Sequence, residues 1–497
     1  MLKDKLQEIS EHLEEIEVRE NQAKFNFYMK TYHESIERIE NERTKYYKSI
    51  VGPFLRRYKT RLSGEESDII AMMKFLGNNY DNLLHFKQPN LMEIAEKIIQ
   101  NSMNFEFSIN GEKLSRAETI STLEFNNDPK MRKLAWDNFV TLGKQNRDLY
   151  FRLFSLRKKI IKKLGYPDLY KWNIMHRQLQ DLDIPTYLIA RVARNQLGEL
   201  LYNAFNVRMS HLNPWDLKYF CLYSENNDVL KKLGSKQFNY ILERVVKGSG
   251  YDLKKLNVKL YKAEIPYDGL CIGTYFKKAV ILFNPRESFE SLTYLFHEFG
   301  HAFHTVRQKS NYYLLAAAEP SFFYEGVAYC FEKIAINAQF IEKELDFPKN
   351  EVASILRQAR LRRLYDILTT LVMVEFEKNI YLTDIHIDEI DQLYSRLYEN
   401  LMGIKHPKSA YWASTVYFAR EMFSALDYLL AEMIVNQSMP AIYQKSNCKD
   451  YLSIIPLLDK YYILPGGKID WNYKIRSLTG SFLSSKLFIE SIKNEKK

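Results

Sequence analysis

The 497-residue chain predicts a mainly α protein with one small antiparallel β-sheet set beside a buried, histidine-bearing helix. Apolar residues recur at spacings of three and four through most of its length, with polar faces between them. Strand-like runs rich in Val, Ile, Tyr and Phe cluster only between about residues 258 and 284. Directly after them comes a helical segment that carries apolar side chains on nearly every face. With 46% hydrophobic and 27% charged residues, the composition is that of an ordinary globular protein, and the length allows a large core.

Residues 2–50 read as one or two long helices, since Leu2, Leu6, Ile9, Leu13 and Ile16 fall on one face. A short coiled coil and docking onto the body are both open, docking being the commoner fate. Gly52-Pro53 is expected to break the run. Residues 105–114 form a candidate hairpin turning at Asn110-Gly111. Asp128-Pro129 caps a helix that begins at Lys130. A basic amphipathic helix over 149–164 is stopped by Gly165-Tyr166-Pro167, and its Arg157-Lys158-Lys159 reads as a solvated face.

Helices continue over 170–250, with a break at 210–215. Strands are expected at 258–263, 271–276 and 279–283, the last two joined in a hairpin at Lys277-Lys278. The edge of such a sheet can pair with an extended peptide backbone, although a purely structural sheet gives the same pattern. Beyond Glu332 the chain returns to helices, interrupted at 405–407 and 464–467. The organisation predicted is an N-terminal helical region, 1–168, and a region carrying the chemistry, 169–497.

The net charge of +10 would attract acidic partners, but lysines scattered over helix exteriors account for it. No concentrated basic tract or nucleic-acid motif is present, so nucleic acid is not an expected partner. The aromatic content (Tyr 35, Phe 30) suits either a broadly lined cavity or a tyrosine-rich core. Cys221, Cys271, Cys330 and Cys448 are far apart and make no Cys-x-x-Cys, which favours a reducing compartment over a disulfide framework. With no apolar leader after Met1 and no run of 18 apolar residues, the expectation is a cytoplasmic protein without a membrane span.

Chemistry concentrates in the run Leu295 to His304, which contains His297-Glu298-x-x-His301. One helical turn separates His297 from His301, so both imidazoles can reach one ion. Glu298 is rotated by about 100° from His297, which puts its carboxylate where it can take a proton from a water that the ion activates. A catalytic zinc takes three protein ligands. The candidate third ligand is Glu325, 28 positions after His297 (325 minus 297), with Glu319 as the competitor. Glu332, seven beyond Glu325 and on the same face, is a candidate partner for a ligand histidine. His304 points away from the ligand face.

This set of residues resembles the oligoendopeptidase F and thimet oligopeptidase family of zinc metallopeptidases. The resemblance also rests on 267–275, on 280–284 and on Val374-Glu375-Phe376-Glu377, and it extends over about 260 to 435. One residue departs from the family: Ala328 stands where Ser is usual, three after the ligand Glu. The resemblance implies a helical, ellipsoidal body enclosing a deep channel with one zinc per chain at its floor. It also implies short peptides as substrates, with the monomer and the homodimer both compatible. The oxyanion donors it implies fall in 406–417, as His406, Tyr411 and Tyr417, and Arg420 is a candidate for holding a substrate carboxylate. The expected activity is internal cleavage of short peptides. The alternatives are a metallocarboxypeptidase or dipeptidyl carboxypeptidase of related fold, and a catalytically silent peptide-binding protein.

Overall fold

The computed structural model describes all residues except 1, 33, 59–64, 223–235, 264, 266–268, 275–277, 285–288, 311, 447–449 and 495–497. The protein is mainly α, with only small sheets. It divides into two compact units, each gathered from three stretches of chain. The first takes 1–85, 226–353 and 430–484; the second takes 86–225, 354–429 and 485–497. No helix among the described residues is long and apolar enough to cross a membrane.

In the first unit the helix Leu2–Tyr28 docks rather than forming a coiled coil. Its Leu6, Ile9, Leu13 and Ile16 are buried in a cluster with Ile39, Val51, Leu76 and Leu314. The next helix, Ile36–Tyr46, starts at Ser35, whose hydroxyl accepts from Arg38 N–H. Gly52-Pro53 does not end this run. The chain passes through a π-helical turn, Tyr47–Val51, and continues helical over Gly52–Tyr58. The wider turn accommodates a proline that cannot donate to the helix. Gly52 lies under the Tyr80 ring, where a Cβ would come within 2.6 Å of it.

The sheet of this unit is mixed, which corrects the expectation of a purely antiparallel one. Lys278–Phe283 is central, Gly269–Thr274 pairs with it antiparallel, and Val258–Lys262 joins the other side in parallel. The parallel strand enters because the chain places its second strand at the far edge and returns its third to the middle. Lys277, of the expected turn, lies outside the described residues, as do Tyr275 and Phe276. Ile281, Leu282 and Phe283 are buried, giving the sheet a floor.

In the second unit the hairpin forms as predicted, Phe107–Ile109 against Glu112–Leu114. Asn110 (φ +52°) and Gly111 (φ +86°) make the left-handed turn that such a short connection needs. The helix Pro129–Lys163 is capped by Asp128, which accepts from Lys130 N–H at 2.9 Å. Arg157 corrects the reading of 157–159 as a solvated face. It is 5% exposed, on the stripe formed with Leu153, Phe154 and Ile161, while Lys159 is exposed. Spacing placed it on the core face, and it is kept there by backbone carbonyls that need donors.

Candidate active site

The helix Phe289–Arg307 carries His297, Glu298, His301 and His304 and packs along the helix Ser321–Ala335, which carries Glu325 and Glu332. Leu292, Leu295, Phe296, Phe299 and Phe303 are fully buried, so its position is fixed on nearly every side. Close approach of the two helices is possible because residue 300 is glycine. A Cβ there would lie 2.9 Å from Ala328 Cα and 3.1 Å from Phe331 Cβ. Ala328 is itself fully buried at this crossing.

That crossing gathers donor atoms of His297, His301 and Glu325 within 4.8 Å of one another, the one such group among the described residues. The two Nε2 atoms face each other at 3.0 Å. Glu325 Oε2 is 3.5 Å from His297 Nε2, and Oε1 is 3.7 Å from His301 Nε2. Two ligands on one zinc, with bonds of about 2 Å at a tetrahedral angle, stand roughly 3.3 Å apart. Three donors of the right type at this spacing fit a zinc ion.

Glu332 sets the tautomer of His297. Its Oε1 accepts from Nδ1 at 2.7 Å, which leaves Nε2 with the lone pair a metal requires. The field of the site favours a cation. Burial pushes His297 down, but the hydrogen bond and charge of Glu332, with Glu325 and Glu298, outweigh it and bring the ring to about 9 without an ion. His301, buried and beside His297 and His304, is held well below its ordinary range and stays neutral.

Glu298 points to the Gly269–Thr274 strand. Its carboxylate accepts from Cys271 N–H, and a Cβ at Gly269 would come within 2.6 Å of Glu298 Cγ. Burial raises its pKa, partly offset by His297 and the Cys271 bond, as a group alternating between base and acid requires.

Glu319, the competing ligand, is engaged elsewhere. It is buried between His304 Nε2, 2.7 Å away, and the Lys474 ammonium. Tyr324 stacks on His301 with centroids 4.6 Å apart and donates its hydroxyl to the His301 carbonyl at 2.8 Å. Sequence reasoning missed Lys474, Tyr324 and the strand contacts of Glu298. Only the adjacency of Tyr324 to Glu325 could have drawn attention to one of them.

His406, Tyr411 and Tyr417 belong to the second unit. His406 is 4% exposed; its Nδ1 donates to the Pro407 carbonyl at 2.8 Å, and burial pushes its pKa down to about 4. Tyr411 stacks on Trp136 with centroids 5.3 Å apart, and the His406 and Tyr411 rings are 6.2 Å apart. Tyr417 stands at the surface, 44% exposed. The Arg420 side chain lies outside the described residues.

Residues 261–450 match the family model for peptidase family M3. No curated protein matches the chain.

Proposed function

We propose, from the match of residues 261–450 to the model of peptidase family M3, that the protein is a zinc metallopeptidase of the thimet oligopeptidase-like group, an oligopeptidase hydrolysing internal bonds of short peptides. The observation that carries this reading is the convergence of His297, His301 and Glu325 with the Glu298 carboxylate one residue along the same helix. The three would hold one zinc per chain. When bound, zinc polarises the scissile carbonyl and strengthens the acidity of water.

Glu298 takes the proton from the attacking water and passes it to the leaving amine, its Cys271 bond fixing the carboxylate in between. Glu332 keeps His297 in the ligating tautomer. The oxyanion needs donors, and His406, Tyr411 and Tyr417, which the family resemblance implies, are the candidates for that role. The Gly269–Thr274 strand stands at the sheet edge beside Glu298, where a peptide backbone can lie along it. Three free cysteines among the described residues fit a reducing, cytoplasmic setting.

Mass spectrometry of products from a mixed peptide library, with and without chelator, tests this reading. Chelator-sensitive internal cuts that persist with amidated C-termini are expected. Stepwise loss of C-terminal residues, abolished by amidation, would move the protein to the carboxypeptidases. No cleavage with zinc bound would make it a peptide-binding protein.

A further inference from the structure

The two histidines of the cluster are held in different ways. Glu332 fixes the ring of His297 through Nδ1, but Nδ1 of His301 is buried with no hydrogen-bond partner among the described residues. An imidazole without that bond can turn about its side-chain torsions unless something packs against its face. Tyr324 supplies the packing. Its ring lies 17° from parallel to the His301 ring, with centroids 4.6 Å apart. Its hydroxyl donates to the His301 carbonyl at 2.8 Å and stands 2.5 Å from the Thr305 hydroxyl, so the ring is anchored at its far end as well.

Tyr324 also packs on the His304 ring, tilted by 33° with centroids 4.7 Å apart. His304 is 1% exposed and cannot turn away, because Glu319 Oε2 is 2.7 Å from its Nε2 and the Lys474 ammonium meets the other oxygen of that carboxylate. Taking three titratable side chains out of water is unfavourable, and apolar side chains would fill the same space more stably. An imidazole pinned by a carboxylate gives what they would not, a flat ring in one orientation for Tyr324 to rest on.

We infer that Tyr324 is a positioning residue for His301, aiming its Nε2 into the cluster by stacking, and that His304, Glu319 and Lys474 serve to hold the Tyr324 ring. This rests on His301 as a zinc ligand. All four residues act through His301.

Zinc affinity by chelator competition, and the visible absorption of the cobalt-substituted full-length protein, test it. Tyr324→Leu removes the flat ring, and zinc binding should weaken about 10- to 100-fold, with a changed cobalt spectrum. Tyr324→Phe keeps the stack without the hydroxyl and should recover most of that affinity and the wild-type spectrum. His304→Leu leaves Glu319 paired with Lys474; it should weaken zinc binding about 3- to 10-fold alone and no further in the Tyr324→Leu background. Wild-type zinc affinity and cobalt spectrum in Tyr324→Leu would overturn the inference. An equal loss on His304→Leu in both backgrounds would overturn the role given to the His304 cluster, because a task independent of Tyr324 is additive. His301→Ala separates the premise. Zinc bound there as tightly as in the wild type would overturn the ligand reading and the inference with it. Zinc lost there but fully retained by Tyr324→Leu would overturn the inference alone.

Discussion

His297 donates its Nδ1 proton to Glu332 across 2.7 Å, so a residue on one helix decides which nitrogen of a residue on another faces the three-donor cluster. Replacing Glu332 by Gln removes the charge and lets the ring choose either tautomer. Zinc affinity should weaken about 10- to 100-fold, with little change in folding. Competition against a chelator of known affinity measures this, and an unchanged affinity would remove Glu332 from the account.

Gly269 has no side chain where the edge strand passes Glu298. A Cβ placed there meets Glu298 Cγ at 2.6 Å, so Gly269→Ala should push the carboxylate off its Cys271 bond. The expected result is a loss of kcat on the order of 10- to 100-fold with zinc still bound. Steady-state kinetics beside metal analysis separates this from simple loss of the ion.

The His304, Glu319 and Lys474 cluster ties the end of the motif helix to the start of the glutamate helix. Lys474→Met leaves Glu319 buried with half its partners and should cost about 3–5 kcal/mol in denaturant unfolding. Burial alone would raise the Glu319 pKa, but Lys474 and His304 bring it to about 2, below its ordinary 4.5. A lowered acid stabilises the fold above 4.5, and that contribution disappears as pH falls from 4.5 through 2. In Lys474→Met this acid-side loss should shrink.

Glu377 runs the opposite way. Burial raises its carboxyl from 4.5 to about 7, against the Phe423 N–H and the charges of Arg157 and Arg177, with Asp427 reinforcing the rise. The folded state therefore holds more protons than the unfolded state between those values. The stability due to this group is complete below 4.5 and declines as pH rises through 7. Glu377→Gln should flatten that part of the stability curve, which unfolding midpoints across pH 4 to 8 would reveal.

The motif helix, the glutamate helix and the hairpin at Asn110-Gly111 were legible because each is written in local spacing. His297 and His301 are a turn apart, and Glu325 and Glu332 share a face wherever the helix lies. Where the chain meets itself over long separations, local spacing is silent. The parallel pairing of Val258–Lys262 with Lys278–Phe283 skips the strand between them. Lys474 reaches Glu319 across 155 residues, and a buried lysine looks like any surface lysine in sequence. Arg157 was misplaced for a related reason: its helix face was apolar, but its charge argued for solvent until backbone carbonyls from 418 and 419 were there to receive it.

The most direct test of the central claim is to measure zinc content and peptide hydrolysis together in the wild type and in Glu298→Gln. One zinc per chain is expected in both, with hydrolysis in the variant reduced at least about 100-fold. A variant that keeps its zinc and still turns over peptide at the wild-type rate would contradict it.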